Sequence, residues 1–237
     1  MYNNYIFDLY GTLVDIHTEE NKRSLWEKLS LFYSFHGADY GPKTLRKEYL
    51  SLCRQEEEKL SVSDYPELEI TGVFLQLFLN KSVPADAELA REAGRVFRIL
   101  SLRYIRLYPG VTTLLQELKD RGKKIYLLSN AQRIFTEPEM KLLKLTGYFD
   151  GILFSSDEGC KKPSPLFYQA LFNRYGLNPK ESIMIGNDPI ADIAGAHNAG
   201  LPALYIHSNL SPELTVPPSC EYSILDGDVT KIGRMLR

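Results

Sequence analysis

Tyr5, Ile6 and Phe7 stand as an unbroken apolar run that gives way to Asp8, and Gly11 follows closely enough to permit a tight turn. The pattern predicts a short buried strand whose carboxyl end carries Asp8. Beyond Asp15 the apolar spacing lengthens to that of helices. Leu25, Trp26, Leu29, Phe32 and Tyr33 recur up to Gly37, and Leu45, Tyr49, Leu52 and Leu60 follow Pro42. Val73, Phe74, Leu77 and Phe78 mark a third helix from near Pro66 to Leu79. Leu89, Ala93, Val96, Phe97, Leu100 and Tyr104 mark a fourth from near Asp86 to Leu107. Four such helices have enough apolar surface for a small bundle, inserted between the first strand and the remaining chain.

From Tyr108-Pro109-Gly110 onward helix and strand alternate. A helix carrying Leu114, Leu115 and Leu118 ends near Gly122, and Ile125 to Leu128 reads as a buried strand followed by polar Ser129 and Asn130. Gly151 to Phe154, Ser182 to Gly186 and Leu204 to Ile206 are further strands, with helices from Pro165 to Tyr175 and after Asn187-Asp188 up to Gly200. Alternation of this kind predicts a parallel sheet with right-handed crossovers. Open α/β sheets bind ligands beyond the carboxyl ends of their strands. Asp8, Ser129, Lys162 and the Asp188/Asp192 pair are therefore expected in one crevice, where helix N-termini suit an anionic substrate. The division expected is a core of residues 1–15 and 106–237 with a helical cap of 16–105. The Pro-rich stretch 212–218 reads as a surface loop.

Composition narrows the partners. Lys plus Arg total 28 against 30 Asp plus Glu, a net charge of −2, which makes no electrostatic case for nucleic acid or an anionic membrane. Glu56-Glu57-Glu58 reads as a solvated helix face. Cys53, Cys160 and Cys220 are three and far apart, the pattern of reduced thiols in a cytoplasmic protein rather than of a disulfide frame or zinc site. No segment approaches membrane-spanning length without charges. His17, His36, His197 and His207 show no metal-ligand spacing.

Four motifs, each at a predicted strand end, carry the chemistry: Phe7-Asp8-Leu9-Tyr10-Gly11-Thr12, Leu128-Ser129-Asn130, Lys162-Pro163-Ser164-Pro165, and Gly186-Asn187-Asp188 with Asp192. In this order they resemble the haloacid dehalogenase superfamily over the whole chain. The fold implied is α/β, a Rossmann-like parallel-sheet core with an inserted helical cap. The resemblance implies Asp8 as nucleophile, splitting one hard displacement into two. Thr12 and Ser129, with Asn130 beside it, would supply donors to the group attacked, and Lys162 would hold Asp8 ionised. A Mg²⁺ ion would take Asp8, a backbone carbonyl at Tyr10 and a further carboxylate from Asp188 and Asp192, with either Asn187 or Asp188 at the family's usual ligand position. Asp192 is also open to helix capping.

Two departures pull apart. Phosphatases of the superfamily usually place an acid/base Asp two residues after the nucleophile. This chain has Tyr10 there, a weak base near its ordinary pKa of about 10. Tyrosine at that place resembles the 2-haloacid dehalogenases, whose halide leaves without a proton, and Arg46 and Tyr168 are candidates for their substrate-contacting Arg and aromatic. The acidic fourth motif instead resembles a metal-dependent phosphatase. The expected function is a Mg²⁺-dependent hydrolase of small anionic phosphates with good leaving groups, as monomer or homodimer. The alternatives are metal-independent halide displacement and a non-catalytic phospho-ligand binder.

Overall fold

The computed structural model describes residues 2–60, 64–214, 216 and 218–236. Strand β1 (Asn4–Phe7) lies in the middle of a six-stranded sheet, between β4 (Lys124–Ser129) and β6 (Ser182–Gly186). The order is completed by β5 (Gly151–Phe154) outside β4, and by β7 (Ala203–Ile206) and β8 (Tyr222–Ile224) outside β6; every pairing is parallel. A parallel sheet is covered on both faces, which is why its strands are continuously apolar rather than alternating. Tyr5 and Phe7 pack with Leu114, Leu115 and Leu118 of α5 (Val111–Asp120) and Ile232 of the C-terminal helix turn Ile232–Met235. Ile6 enters the opposite cluster with Phe167 and Leu171 of the helix Pro165–Tyr175. Each such side chain contributes about 1.5–3 kcal/mol on burial.

Between β1 and α5 the chain forms a two-stranded antiparallel ribbon, β2 (Val14–Thr18) against β3 (Leu102–Leu107). Four helices hang from it: α1 (Arg23–Phe35), α2 (Pro42–Lys59), α3 (Thr71–Leu79) and α4 (Ala87–Ser101). Their common core holds Trp26, Tyr33, Tyr49, Phe74, Phe78 and Phe97. Helix α6 (Arg133–Leu142) serves both bodies, with Met140 in the sheet's core and Ile134 and Phe135 in that of the helices. Gly94 makes this approach possible: a Cβ there would lie 2.5 Å from Ile134 Cδ1.

Three expectations are corrected. The fourth helix stops at Ser101, and Leu102–Leu107 is a strand because β2 offers a pairing partner, Ile105 opposite Ile16 and Arg106 opposite Asp15. The third helix begins at Thr71 rather than near Pro66. The residues before it are drawn across the sheet body, where Glu67 N–H donates to the Gly159 carbonyl at 3.0 Å and Lys161 N–H to that of Tyr65 at 3.0 Å. Helix α6, absent from the sequence reading, follows β4. Thr215 and Pro217 of the Pro-rich stretch lie outside the described residues. Among the described residues no helix is long and apolar enough to cross a membrane.

Candidate active site

Asp8 sits one residue past β1, its amide donating to the Ile185 carbonyl of β6 at 2.9 Å, so the sheet itself carries its backbone to the rim. Its Oδ1 accepts from Lys162 Nζ at 2.7 Å, and the same ammonium donates to Asp192 Oδ1 at 2.7 Å. Lys162 and Asp192 side chains are each 1% exposed and Asp8 10%. One buried cation thus serves two buried carboxylates. Burial alone would depress the lysine, but Asp192 and Asp8 outweigh it and raise Lys162 above the ordinary lysine value, so it stays charged. Burial pushes Asp192 up to about 6 in spite of the ammonium against it.

Backbone geometry sets Lys162 in place. Asn130, just past β4, donates from Nδ2 to the Lys162 carbonyl at 2.9 Å and accepts the Lys162 amide on Oδ1 at 2.8 Å. Asp192 is brought in by a π-helical turn, Pro189–Ala194, in which the Ile193 amide reaches back to the Asp188 carbonyl at 3.2 Å. Such turns hold one extra residue and recur at functional sites. Here the turn separates two neighbouring acids. Asp188 caps it, accepting from the amides of Ile190 and Ala191 at 2.8 and 2.9 Å, while Asp192 turns inward to Lys162. The capping that the sequence left open to Asp192 falls to Asp188. Tyr168, wholly buried, donates to the Ala191 carbonyl at 2.8 Å and supports the turn; it does not face the cleft.

Thr12 Oγ1 lies 3.3 Å from both Asp8 Oδ2 and Asn187 Oδ1. Gly11, at φ +88°, turns the chain there, and a Cβ on it would lie 2.4 Å from Asn187 Nδ2. Of Asn187 and Asp188, it is Asn187 that lies beside the same Thr12 hydroxyl as Asp8. Ser129 Oγ is the one fully buried side-chain polar atom among the described residues that has no hydrogen-bond partner. An unmade hydrogen bond of this kind costs roughly 1–3 kcal/mol.

These donors bear on a metal. Among the described residues no three His, Cys, Asp or Glu side chains converge as a ligand set, and both oxygens of Asp192 are engaged, by Lys162 and by the Asp188 amide at 2.9 Å. Asp8 Oδ2 and Asn187 Oδ1, gathered on either side of Thr12 Oγ1, make an all-oxygen pair of side-chain donors. That fits Mg²⁺ as a hard cation held by one carboxylate, waters and substrate oxygens.

Tyr10 turns away from Asp8. Its hydroxyl donates to Glu139 and lies 3.0 Å from Thr136 Oγ1, both on α6. Burial, reinforced by the Glu139 charge, raises its pKa well above that of free tyrosine. The side chain is unsuited to exchange a proton near neutrality. Beside it a cleft of about 360 Å³ opens between the helices and the sheet body, lined by Tyr10, Tyr49, Glu67, Arg98, Asn130 and Gln132.

A strand-end aspartate paired to a buried lysine, under an inserted helical body, matches a known family model: that of the haloacid dehalogenase-like hydrolases, over residues 2–200. The chain belongs to this family. A phosphoserine phosphatase of Thermus thermophilus is 31% identical over 61% of the chain and 57% of that protein, so the chain spans little more than half of this relative. An (S)-2-haloacid dehalogenase of Burkholderia cepacia is 24% identical over 97% of the chain and 91% of its own length. The crystal structure of a 2-haloacid dehalogenase from Pseudomonas syringae covers 100% of the chain and 98% of its own, with a TM-score of 0.71 at 18% identity, a likeness of fold.

In this haloacid dehalogenase-like hydrolase, Arg46 is not at the cleft. It is an exposed α2 residue bonded to Asn21 Oδ1 at 2.8 Å. The helix-block arginine that reaches the cleft is Arg98; Glu139 of α6 meets its guanidinium, and Thr136 of α6 and Gln132 of the loop before it line the same cleft. The sequence held a signal for the pair. Arg98 stands four residues after Gly94 and eight after Ala90, on α4's buried side, and Glu139 stands four after Phe135. A charge on a buried face implies a partner.

Proposed function

We propose that the hydrolase uses Asp8 to take a phosphoryl group from small phosphate esters or acyl phosphates whose leaving groups depart as stable anions. The observation that carries the reading is the orphaned Ser129 hydroxyl. It lies at the end of β4, next to β1, and an oxygen-rich anion on Asp8 would supply its missing partner. In the first step an Asp8 carboxylate oxygen bonds to phosphorus and the bond to the leaving oxygen breaks, the electron pair leaving with it. In the second, water attacks the phosphorus, the bond to Asp8 breaks, and inorganic phosphate carries away the water's protons. Lys162 offsets the charge on Asp8 and on the substrate throughout.

Mg²⁺ would be held by Asp8 and Asn187, and when bound it supplies positive charge against the phosphoryl oxygens. Tyr10, bound to Glu139, offers no proton to a leaving group, so alkyl phosphates should turn over slowly and aryl or acyl phosphates faster. A second reading, halide displacement from a 2-haloacid, is favoured by this same lack of an acid.

Hydrolysis of p-nitrophenyl phosphate with Mg²⁺, repeated with chelator and with Asp8→Asn, tests the reading. We expect turnover that needs the metal and falls about a thousandfold or more in the variant. Turnover indifferent to Asp8 would overturn it. No turnover, with halide released from 2-chloropropionate, would replace it by the second reading.

A further inference from the structure

Arg98 belongs to α4 of the helix block and Glu139 to α6, on the turn next to Met140 in the sheet body's core. Across the cleft, Arg98 Nε donates to Glu139 Oε1 at 2.6 Å and Nη2 to Oε2 at 3.4 Å. Their side chains are 15% and 8% exposed. The guanidinium lies 5.3 Å over the Phe135 ring and 5.9 Å over that of Tyr10. The Tyr10 hydroxyl gives its hydrogen to the same carboxylate. We propose that Arg98 and Glu139 form a clasp that holds the helix block closed over the cleft between Tyr10 and Asn130, the residue that sets Lys162 beside Asp8, with Tyr10 as its anchor on the sheet body.

The physical case is one of partners. Closed, the two charges neutralise each other and the Tyr10 hydroxyl occupies a further acceptor site of Glu139. Removing one member leaves the other charged and shielded from water, a strongly unfavourable state. Parting the two bodies returns that charge to solvent, so each single truncation should favour the open cleft. The same logic explains why a tyrosine stands at position 10. Its ring reaches α6, and its hydroxyl completes the carboxylate without taking part in proton transfer. Arg98, Glu139 and Tyr10 are thus positioning residues. The inference rests on Asp8 being the reacting group only for its kinetic readout.

The test compares wild type, Arg98→Met, Glu139→Met and the double variant in the full chain. Backbone hydrogen exchange is followed in α3, α4 and α6, alongside p-nitrophenyl phosphate kinetics with Mg²⁺. Each single change is expected to speed exchange on the cleft side about tenfold and to raise KM about tenfold, with kcat within threefold. The double variant should be no worse than the worse single, because one interaction has been removed once. Exchange and KM unchanged, effects that add, or a fall in kcat at constant KM would each overturn the clasp. If a single variant does not fold, the exchanged pair Arg98→Glu with Glu139→Arg decides, with recovery of folding expected and failure to recover counting against the clasp. Should wild type leave the ester untouched, the proposed function fails while the exchange comparison still decides the clasp.

Discussion

Lys162 is the residue on which the site's electrostatics turn. With its ammonium at 2.7 Å from both Asp8 and Asp192, changing Lys162→Met leaves two buried carboxylates facing each other. Loss of a buried partner of this kind costs about 3–5 kcal/mol, and denaturant unfolding at neutral pH should show it. Adding Asp192→Asn should recover part of the loss, since the repulsion then goes; no recovery would mean that the two acids do not share the lysine. At this scale the sequence was legible where a motif names one residue type. Asp8 and Ser129 stand where strands end, whereas Lys162 lies eight residues past β5, beyond the helical turn Ser155–Glu158, and is held at Asp8 by Asn130. The sequence was ambiguous between Asn187 and Asp188 as ligand and left capping open to Asp192, because only the extra residue of the π turn decides that Asp188 caps and Asp192 turns inward. It was misleading at Tyr10 and Arg46, whose orientation depends on α6 and on the outer face of α2.

Strands and helices were legible to different degrees for one reason. Strands buried on both faces announce themselves as apolar runs, and β1, β4, β5, β6 and β7 stand close to their expected places. β3 did not announce itself, since Leu102, Arg103, Tyr104 and Ile105 continue a helical spacing until β2 captures them. Helix α6 hides behind Pro138 in its middle and a charged surface. Asp150, at the start of β5, joins three elements. It accepts the Ile125 amide of β4 at 2.9 Å, Lys119 of α5 at 2.9 Å and Lys124 at 3.0 Å. Burial alone would raise its carboxyl, but the Ile125 amide and the two lysines prevail and bring it down to about 2. A carboxyl depressed in the fold adds stability above its ordinary value near 4, and that stability is lost as pH falls toward about 2. Asp150→Asn should therefore lower stability at pH 7 by about 1–2 kcal/mol. Unfolding of the two proteins should converge near pH 2, and a gap that persisted there would mean a packing effect instead.

At the scale of the whole molecule, two bodies share one ribbon and one helix. The ribbon joins them covalently at β2 and β3, and α6 contributes to both cores. Strand β1 makes a different demand, and it is one of time. Asn4 pairs with Lys124 on one side and with Ser182 on the other. A ribosome must therefore make nearly the whole helix block, α5 and β4 before β1 has a neighbour, and must pass β6 before it has two. Until then Tyr5, Ile6 and Phe7 present an apolar strand with bare amide and carbonyl edges, a template for the wrong chain. A chain cut after Lys180 keeps Asp8 but should associate into large particles in sedimentation, whereas the full chain stays dispersed. Asp8 is among the first residues of the site to be made, and its backbone is among the last to be satisfied.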